Sequence, residues 1–457
     1  TYNHTVPSGI PTNVPCKLWD GLFDYQKRGV EIICSKTRIL LADDMGLGKT
    51  RQGLCFLAHW NTSSLIVCPS YLRYHWKAQI EEWLGLEAQV IKTKKTLFTS
   101  NICIMSYDML NGVTIPQFNC ILADESHYIK NRKTKRTKAF LHIGKKAKQV
   151  LLMSGTPALN RPIELYTQMH VIQPQIIKHY THYATRYCAA KKTAYGLDDR
   201  GASNSHELHY MLNKMFMIRR LKRNVLQDLP PKIRHTVLLE VESHQLLNID
   251  SGKQRWKELN REIERCGGEE QRTLIFERKS LISDLFRQTC SAKIKSVCTW
   301  LQNALEYTDK IVFFAHHRQM LDAVEQTLQH INYIRIDGST PTEKRQQRVE
   351  QFQTQPEIRI AILGLLSAGT GNTLTAASTV VFGELYWIPG IMIQAEDRCH
   401  RISQINNVDI HYLIGQDTLD SYVYDMLQRK CKIINKVVSQ PDSLQSTKQP
   451  NITNYCN

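Results

Sequence analysis

The sequence predicts an α/β protein made of two parallel-sheet lobes with a helical insertion between them. Three observations carry this. Short apolar runs alternate with helix-compatible stretches from Arg38 to Met153. The same alternation returns from Lys310 to Ile414, and the region between the two is charged and helical in pattern. Strand–helix alternation of this kind gives a parallel sheet covered by helices on both faces.

With 457 residues the chain is long enough for two or three domains. Residues 1–20, with Pro7, Gly9, Pro11 and Pro15, read as an extended lead-in. The first lobe spans 21–228, with strands expected at 38–42, 65–68, 101–105, 120–123 and 149–153. Asn204-Ser205-His206-Glu207 has the spacing of a capping box opening a helix through Leu212. Residues 229–297 read as a helical linker, and Pro230-Pro231 marks a hinge at its start. The second lobe spans 298–437, with strands at 310–315, 333–337, 358–363, 379–382 and 409–414. Residues 438–457 are rich in Ser, Gln, Asn and Lys, and a disordered tail is expected there.

Lys and Arg number 59 against 42 acids, a formal charge of +17 that favours a polyanionic partner. No apolar run approaches the roughly 20 residues of a membrane span, so no membrane partner is expected. The 13 cysteines include no CxxC pair, which argues against a zinc ribbon or a disulfide framework and for a reducing compartment. The histidines show no paired-ligand spacing, and no structural metal is expected.

The chemistry centres on Leu40-Leu41-Ala42-Asp43-Asp44-Met45-Gly46-Leu47-Gly48-Lys49-Thr50. An apolar strand delivers a glycine loop onto a helix N-terminus, where backbone N–H groups and the helix dipole favour phosphate. Gly46 and Gly48 allow close backbone approach, Lys49 reaches the terminal phosphates, and Thr50 offers a hydroxyl to Mg²⁺. The strict pattern has Gly where Asp43 stands. A second apolar strand runs out into Asp124-Glu125-Ser126-His127. Asp124 suits Mg²⁺, and Glu125 suits orienting or deprotonating the attacking water. Together the two motifs predict a nucleotide hydrolase using ATP and Mg²⁺.

The second lobe lacks a phosphate loop but carries Gln394-Ala395-Glu396-Asp397-Arg398-Cys399-His400-Arg401. On a helix Arg398 and Arg401 share a face. One reading sends them across a cleft to the γ-phosphate as arginine fingers; the other pairs them with Glu396 and Asp397.

With these motifs in order, nearly the whole chain, from Leu22 to Lys430, resembles the SWI/SNF-type helicase-like ATPases of superfamily two. The resemblance implies two RecA-like lobes. It makes Gln26 of Leu22-Phe23-Asp24-Tyr25-Gln26 an adenine reader and puts residues 43–50 against ATP. It also makes Ser154-Gly155-Thr156, Gly369, Gly371 and Gln394 coupling and DNA-contact positions. Arg200–Asn204, Ile218-Arg219-Arg220-Leu221-Lys222, Phe314-Ala315-His316-His317, Phe382–Trp387 and Ile410–Ile414 are similar to the annealing-helicase, or HARP-like, branch. That branch implies a nuclear DNA-repair motor that remodels or anneals duplex, branched or forked DNA at stalled replication forks. A nucleosome-remodelling ATPase and an RNA helicase of the same superfamily are the alternatives. Asn372, Ser403 and Ile388 depart from the family pattern.

Lys130 to Lys138 follows the second motif and is open to three readings: a solvated helix face, phosphate contact along one strand, or a nuclear-import signal. In the tail, Gln449, Ile452 and Tyr455 resemble the short box that docks on the sliding clamp, with Cys456 in place of its second aromatic.

Overall fold

The computed structural model describes residues 11–439 apart from 194–195, 227 and 368–372. Among these residues the first lobe is built on β1 (Arg38–Leu41), β2 (Ser64–Cys68), β3 (Gln89–Val90), β4 (Ile102–Ser106), β5 (Cys120–Asp124) and β6 (Gln149–Met153). A short hairpin, β7 (Lys191–Thr193) with β8 (Gly196–Asp198), stands apart, and β9 (Met217–Ile218) returns to the main sheet. The order is β3-β4-β2-β5-β6-β1-β9, parallel throughout. The second sheet contains β10 (Lys232–Leu239), β11 (Ile311–Ala315), β12 (Tyr333–Ile336), β13 (Ile360–Gly364), β14 (Thr379–Phe382) and β15 (Val408–Gly415). It is ordered β10-β15-β14-β11-β13-β12, again all parallel.

Successive strand side chains point to opposite faces, and here both faces are dry. In the first lobe Leu40, Leu65, Val67, Ile121 and Leu152 enter one core, whereas Ile39, Leu41, Ile66, Leu122 and Met153 enter the other. The second sheet divides likewise, with Phe314 and Phe382 on one side and Phe313 and Val381 on the other. Burial on both sides explains why these strands read as unbroken apolar runs.

Four departures from expectation have clear causes. Residues Cys16–Asp20 form a helix inside the lead-in, because Leu18 and Trp19 are buried under the first lobe. The capping box does not form: Asn204 donates to the Arg186 carbonyl at 2.8 Å, and Glu207 accepts two hydrogen bonds at 2.7 Å from the Arg186 guanidinium. The stretch taken as a helical linker begins with β10, an edge strand whose polar face hid its character. The helices Ser243–Arg265 and Gly268–Tyr307 then form an antiparallel hairpin whose second arm continues into the second lobe's core.

That arm brings Lys293 into the interior. Its ammonium meets Asp420 at 2.5 Å and the Leu413 carbonyl at 3.1 Å, and both side chains of the ion pair are 1% exposed. Asp420 also accepts from the Gly415 amide at 3.0 Å. The helix Asp420–Val438 that starts there crosses to the first lobe, where Val437 and Val438 join its core. No helix among the described residues is long and apolar enough to cross a membrane.

Removing one partner from a buried pair strands the other charge. Lys293→Met is expected to destabilise the second lobe by about 3–5 kcal/mol, read as a lower urea midpoint for the transition that this lobe dominates. An unchanged midpoint would show that water reaches Asp420.

Candidate active site

The loop between β1 and the helix Lys49–Trp60 turns on two glycines in the left-handed region, Gly46 (φ +82°) and Gly48 (φ +71°). Side chains are disfavoured there, and a Cβ on Gly48 would sit 2.2 Å from Gln26 Nε2. Gln26 donates to the Leu47 carbonyl at 3.1 Å while its own Oε1 accepts the Phe23 amide, so it fastens to the loop. Lys49 Nζ donates to the carbonyls of Asp43 (2.8 Å) and Asp44 (3.1 Å). Burial lowers its pKa against the pull of the Glu125, Asp43, Asp124 and Asp44 carboxylates. Thr50 follows on the first helical turn, while Met45 and Leu47 are buried beneath the loop.

Asp43 and Asp44, expected against the nucleotide, turn their carboxylates away from the loop's mouth. Asp43 is fully buried and is held by Gln52 Nε2 (3.1 Å) and by the Arg220 amide, Nε and guanidinium end. Asp44 is held by Arg219 at 2.9 Å and by the Lys222 amide at 3.1 Å. What the two acids give the loop mouth is their backbone carbonyls.

Asp124 ends β5, with Trp76 Nε1 on one oxygen (3.0 Å) and the Glu125 amide on the other (2.9 Å). Burial and the neighbouring Glu125 charge push its pKa up to about 6. Glu125 adopts φ +52°, uncommon for a residue with a side chain and a mark of a constrained site. Burial alone would raise its pKa; the close approach of His127 and the charges of Lys49 and Arg398 outweigh it and hold the carboxyl low. His127 Nδ1 lies 3.2 Å from Glu125 and 3.1 Å from Ser154 Oγ. Ser154 Oγ accepts the Thr156 amide at 3.2 Å, and Thr156 Oγ1 accepts Gln394 Nε2 of the second lobe at 2.7 Å. A polar chain therefore runs from Glu125 across the cleft.

The two arginines reach the cleft, though not from a helix. The helix Pro389–Glu396 stops before them, and they lie in the turn that follows. Arg401 donates to Thr373 Oγ1 at 2.7 Å, and its Cγ lies 3.4 Å from where a Cβ on Gly46 would be. Burial and the nearby Arg398 lower its pKa to about 10. Arg398 is 5% exposed, and its Nε is buried with no hydrogen-bond partner among the described residues. The alternative pairing is not formed: Glu396 binds Arg234 and Lys232, and Asp397 binds Lys222 and Lys232.

These residues fit a nucleoside triphosphate with a divalent cation. At the two glycines a Cβ would strike Gln26 or press on Arg401, so the loop backbone stays bare there, and Arg398 offers a buried donor without an acceptor. Gly369 and Gly371, with Asn372, lie outside the described residues, as do Gln449, Ile452 and Tyr455. In the basic run, Arg132 lies over the Tyr180 ring at 3.7 Å and Arg136 pairs with Asp108 at 3.3 Å, while Lys133, Lys135 and Lys138 are exposed. Elsewhere Cys290, His317 and Glu384 bring donor atoms within 4.8 Å of one another. There the Glu384 carboxylate is already taken up by the His316 and His317 amides and by His317 Nδ1.

Sequence reasoning assigned no site role to Trp76, Arg219, Arg220 or Lys222. Arg219, Arg220 and Lys222 lie in the Ile218–Lys222 run, but the 177 residues between Arg220 and Asp43 gave no pairing signal.

The chain belongs to the SNF2-related family, a class of helicase-like ATPases. The SNF2-related domain matches residues 25–293 and the helicase conserved C-terminal domain residues 292–403, so the two parallel sheets are its RecA-like lobes. The chain is 40% identical over 451 residues to the DNA annealing helicase and endonuclease ZRANB3 of Bos taurus, covering 93% of this chain and 41% of that protein. It is 38% identical over 445 residues to the SWI/SNF-related matrix-associated actin-dependent regulator of chromatin subfamily A-like protein 1 of Xenopus tropicalis, covering 94% and 46%. It spans less than half the length of these two relatives, the first of which carries the annealing-helicase name. Among solved structures, the Sulfolobus solfataricus SWI2/SNF2 ATPase core in complex with dsDNA is 24% identical, with a TM-score of 0.45 over 94% of this chain and 95% of that one.

A Cβ on Gly155 would lie 2.3 Å from Met45 Cγ and 3.3 Å from Lys49 Nζ. Gly155→Ala is therefore expected to push the loop and weaken nucleotide affinity about tenfold, or roughly 1.4 kcal/mol, in a fluorescent-nucleotide titration. Parental affinity would show that Met45 yields without moving the loop.

Proposed function

We propose that this chain is a DNA-dependent ATPase that translocates on DNA and remodels or anneals branched DNA at stalled replication forks in the nucleus. The observation that supports it most is the meeting of two half-sites: the Gly46–Lys49 loop and Glu125 from one lobe, Arg398 and Arg401 from the other. Gly46, Gly48, Lys49, Thr50 and Asp124 would hold the phosphates and Mg²⁺, and the metal neutralises phosphate charge when bound. Gln26 would read the adenine. Glu125, held ionised by His127, Lys49 and Arg398, orients water by accepting its hydrogen bond; so depressed a carboxyl is better suited to positioning than to keeping a proton. Arg398 and Arg401 stabilise charge as it develops on the transferred group.

The chain from Glu125 through His127, Ser154 and Thr156 to Gln394 then links hydrolysis to lobe position. Lys133, Lys135 and Lys138, with Gly369 and Gly371, would contact the DNA backbone, in keeping with the +17 charge. The preference for forks rests on the resemblance to the annealing-helicase branch. Gln449, Ile452 and Tyr455 would dock the tail on the sliding clamp.

Turnover with single-stranded, duplex, forked and nucleosomal DNA, and with RNA, tests the reading. Forked DNA should stimulate most. Equal stimulation by RNA would favour an RNA helicase, and a nucleosome optimum would favour a chromatin remodeller. Glu125→Gln should cut turnover by about 10²–10⁴-fold while DNA affinity stays near the parent's, because affinity comes from spread charge. Arg401→Ala should lower kcat by on the order of 10³-fold with little change in nucleotide affinity. A peptide of residues 445–457 should bind the clamp saturably in the micromolar range and lose binding on Ile452→Ala with Tyr455→Ala; binding blind to both changes would leave an ordinary polar tail.

A further inference from the structure

The crossing between the lobes begins at β9, and its first residues are engaged on both sides. Main-chain pairing continues past the strand, with the Ala42 amide donating to the Ile218 carbonyl at 2.7 Å and the Asp44 amide to the Arg220 carbonyl at 3.0 Å. So the phosphate loop leaves the sheet with the crossing segment laddered against it. The side chains repeat the attachment. Arg220 holds Asp43, and Arg219 holds Asp44 while also donating to the Ala42 carbonyl at 2.6 Å and the Gly155 carbonyl at 3.3 Å. Two residues on, Lys222 is buried in the other lobe, bonded to Asp397 at 3.1 Å and to the His400 carbonyl at 2.5 Å. Those acceptors flank Arg398, and Arg401 follows at once in the chain.

We propose that Arg219, Arg220 and Lys222 are positioning residues through which the distance between the lobes sets the shape of the phosphate loop. Lys222 is gripped by the turn that carries the two arginines, and three residues back the same short chain grips the loop. A shift of the second lobe pulls on Lys222 and reaches Asp44 both through the Lys222 amide and through Arg219, and it meets the Glu125–Gln394 chain at the Gly155–Thr156 peptide, whose carbonyl accepts from Arg219 and whose amide donates to Ser154. This rests on the reading that nucleotide binds between the lobes, and it adds a second route by which lobe movement reaches the loop.

The test is a double-mutant cycle between Arg219 and Lys222 on the full chain, read as affinity for a slowly hydrolysed ATP analogue. The Lys222 side chain bonds Asp397 and the His400 carbonyl, and the substitution leaves its main-chain amide on Asp44 in place, yet Lys222→Met should weaken analogue affinity about tenfold, within the usual span of coupling between sites. Lys222→Arg, which keeps the charge, should recover most of it. In an Arg219→Gln background the same Lys222→Met change should cost less than about threefold further, because the Arg219 hold on Asp44 is already cut and only the Lys222 amide remains on it. Thermal melts of each variant separate this from misfolding, and Lys222→Gln serves if Lys222→Met does not fold. Equal losses in both backgrounds, or no loss in folded Lys222→Met, would overturn the proposal. Binding of the analogue is scored apart from turnover. A parent that binds but never hydrolyses would defeat the proposed function alone, and additive losses in a parent that hydrolyses would defeat the coupling alone.

Discussion

Asp43 lies at 0% exposure at the start of the phosphate loop, and the way its charge is met governs the rest of the site. An unpaired carboxylate in such a place costs several kcal/mol, so the loop is stable only with donors folded around it. Gln52 comes from the helix the loop feeds, and Arg220 comes from the far end of the first lobe. Closing this cluster therefore requires β9, from the far end of the lobe's chain, to pair beside β1 at the edge of the first sheet. It also turns the Asp43 carbonyl toward Lys49, alongside that of Asp44. A position where the simple phosphate-loop pattern carries glycine has become a structural keystone.

The strands were legible because both sheet faces are buried, which writes them as apolar runs whose ends fall within about two residues of those expected. β10 was not legible. Its Lys232 and Arg234 look like helix-surface charges, and only the buried Glu396 and Asp397, some 160 residues away, make them strand residues facing a partner. β3 and β9 are two residues long and exist because a neighbour pairs them, so no local pattern could announce them.

The site divides in the same way. The residues that form the loop mouth and the acid pair sit in local motifs and could be named from spacing. The arginines lie at the cleft, in a turn where spacing had suggested a helix. Glu396 and Asp397 are drawn to Arg234, Lys232 and Lys222, the helix ends at Glu396, and the following turn aims Arg398 and Arg401 at the first lobe. The acids beside them, which spacing offered as their partners, are what set them free. Distant electrostatics decided the matter, and a single sequence holds no record of it.

The contacts that join the lobes are of a kind that can be broken and remade. Gln394–Thr156 and the Gly390 amide to the Leu159 carbonyl are neutral hydrogen bonds, each worth about 1 kcal/mol net. Lys222–Asp397 is a buried ion pair, whose desolvation cost offsets much of its attraction. Val437 and Val438 add a small apolar patch at the end of a long helix. None of these resembles the apolar cores that hold each sheet together. Closure held by such modest contacts lies near balance, and a ligand shifts a balanced equilibrium by its differential affinity for the two states. A phosphate group bridging Lys49 and Arg398 would supply that difference, since the buried Arg398 Nε has no other acceptor among the described residues. Rigid lobes joined by a marginal interface, with a buried guanidinium nitrogen lacking an acceptor at the seam, are what nucleotide-driven opening and closing requires.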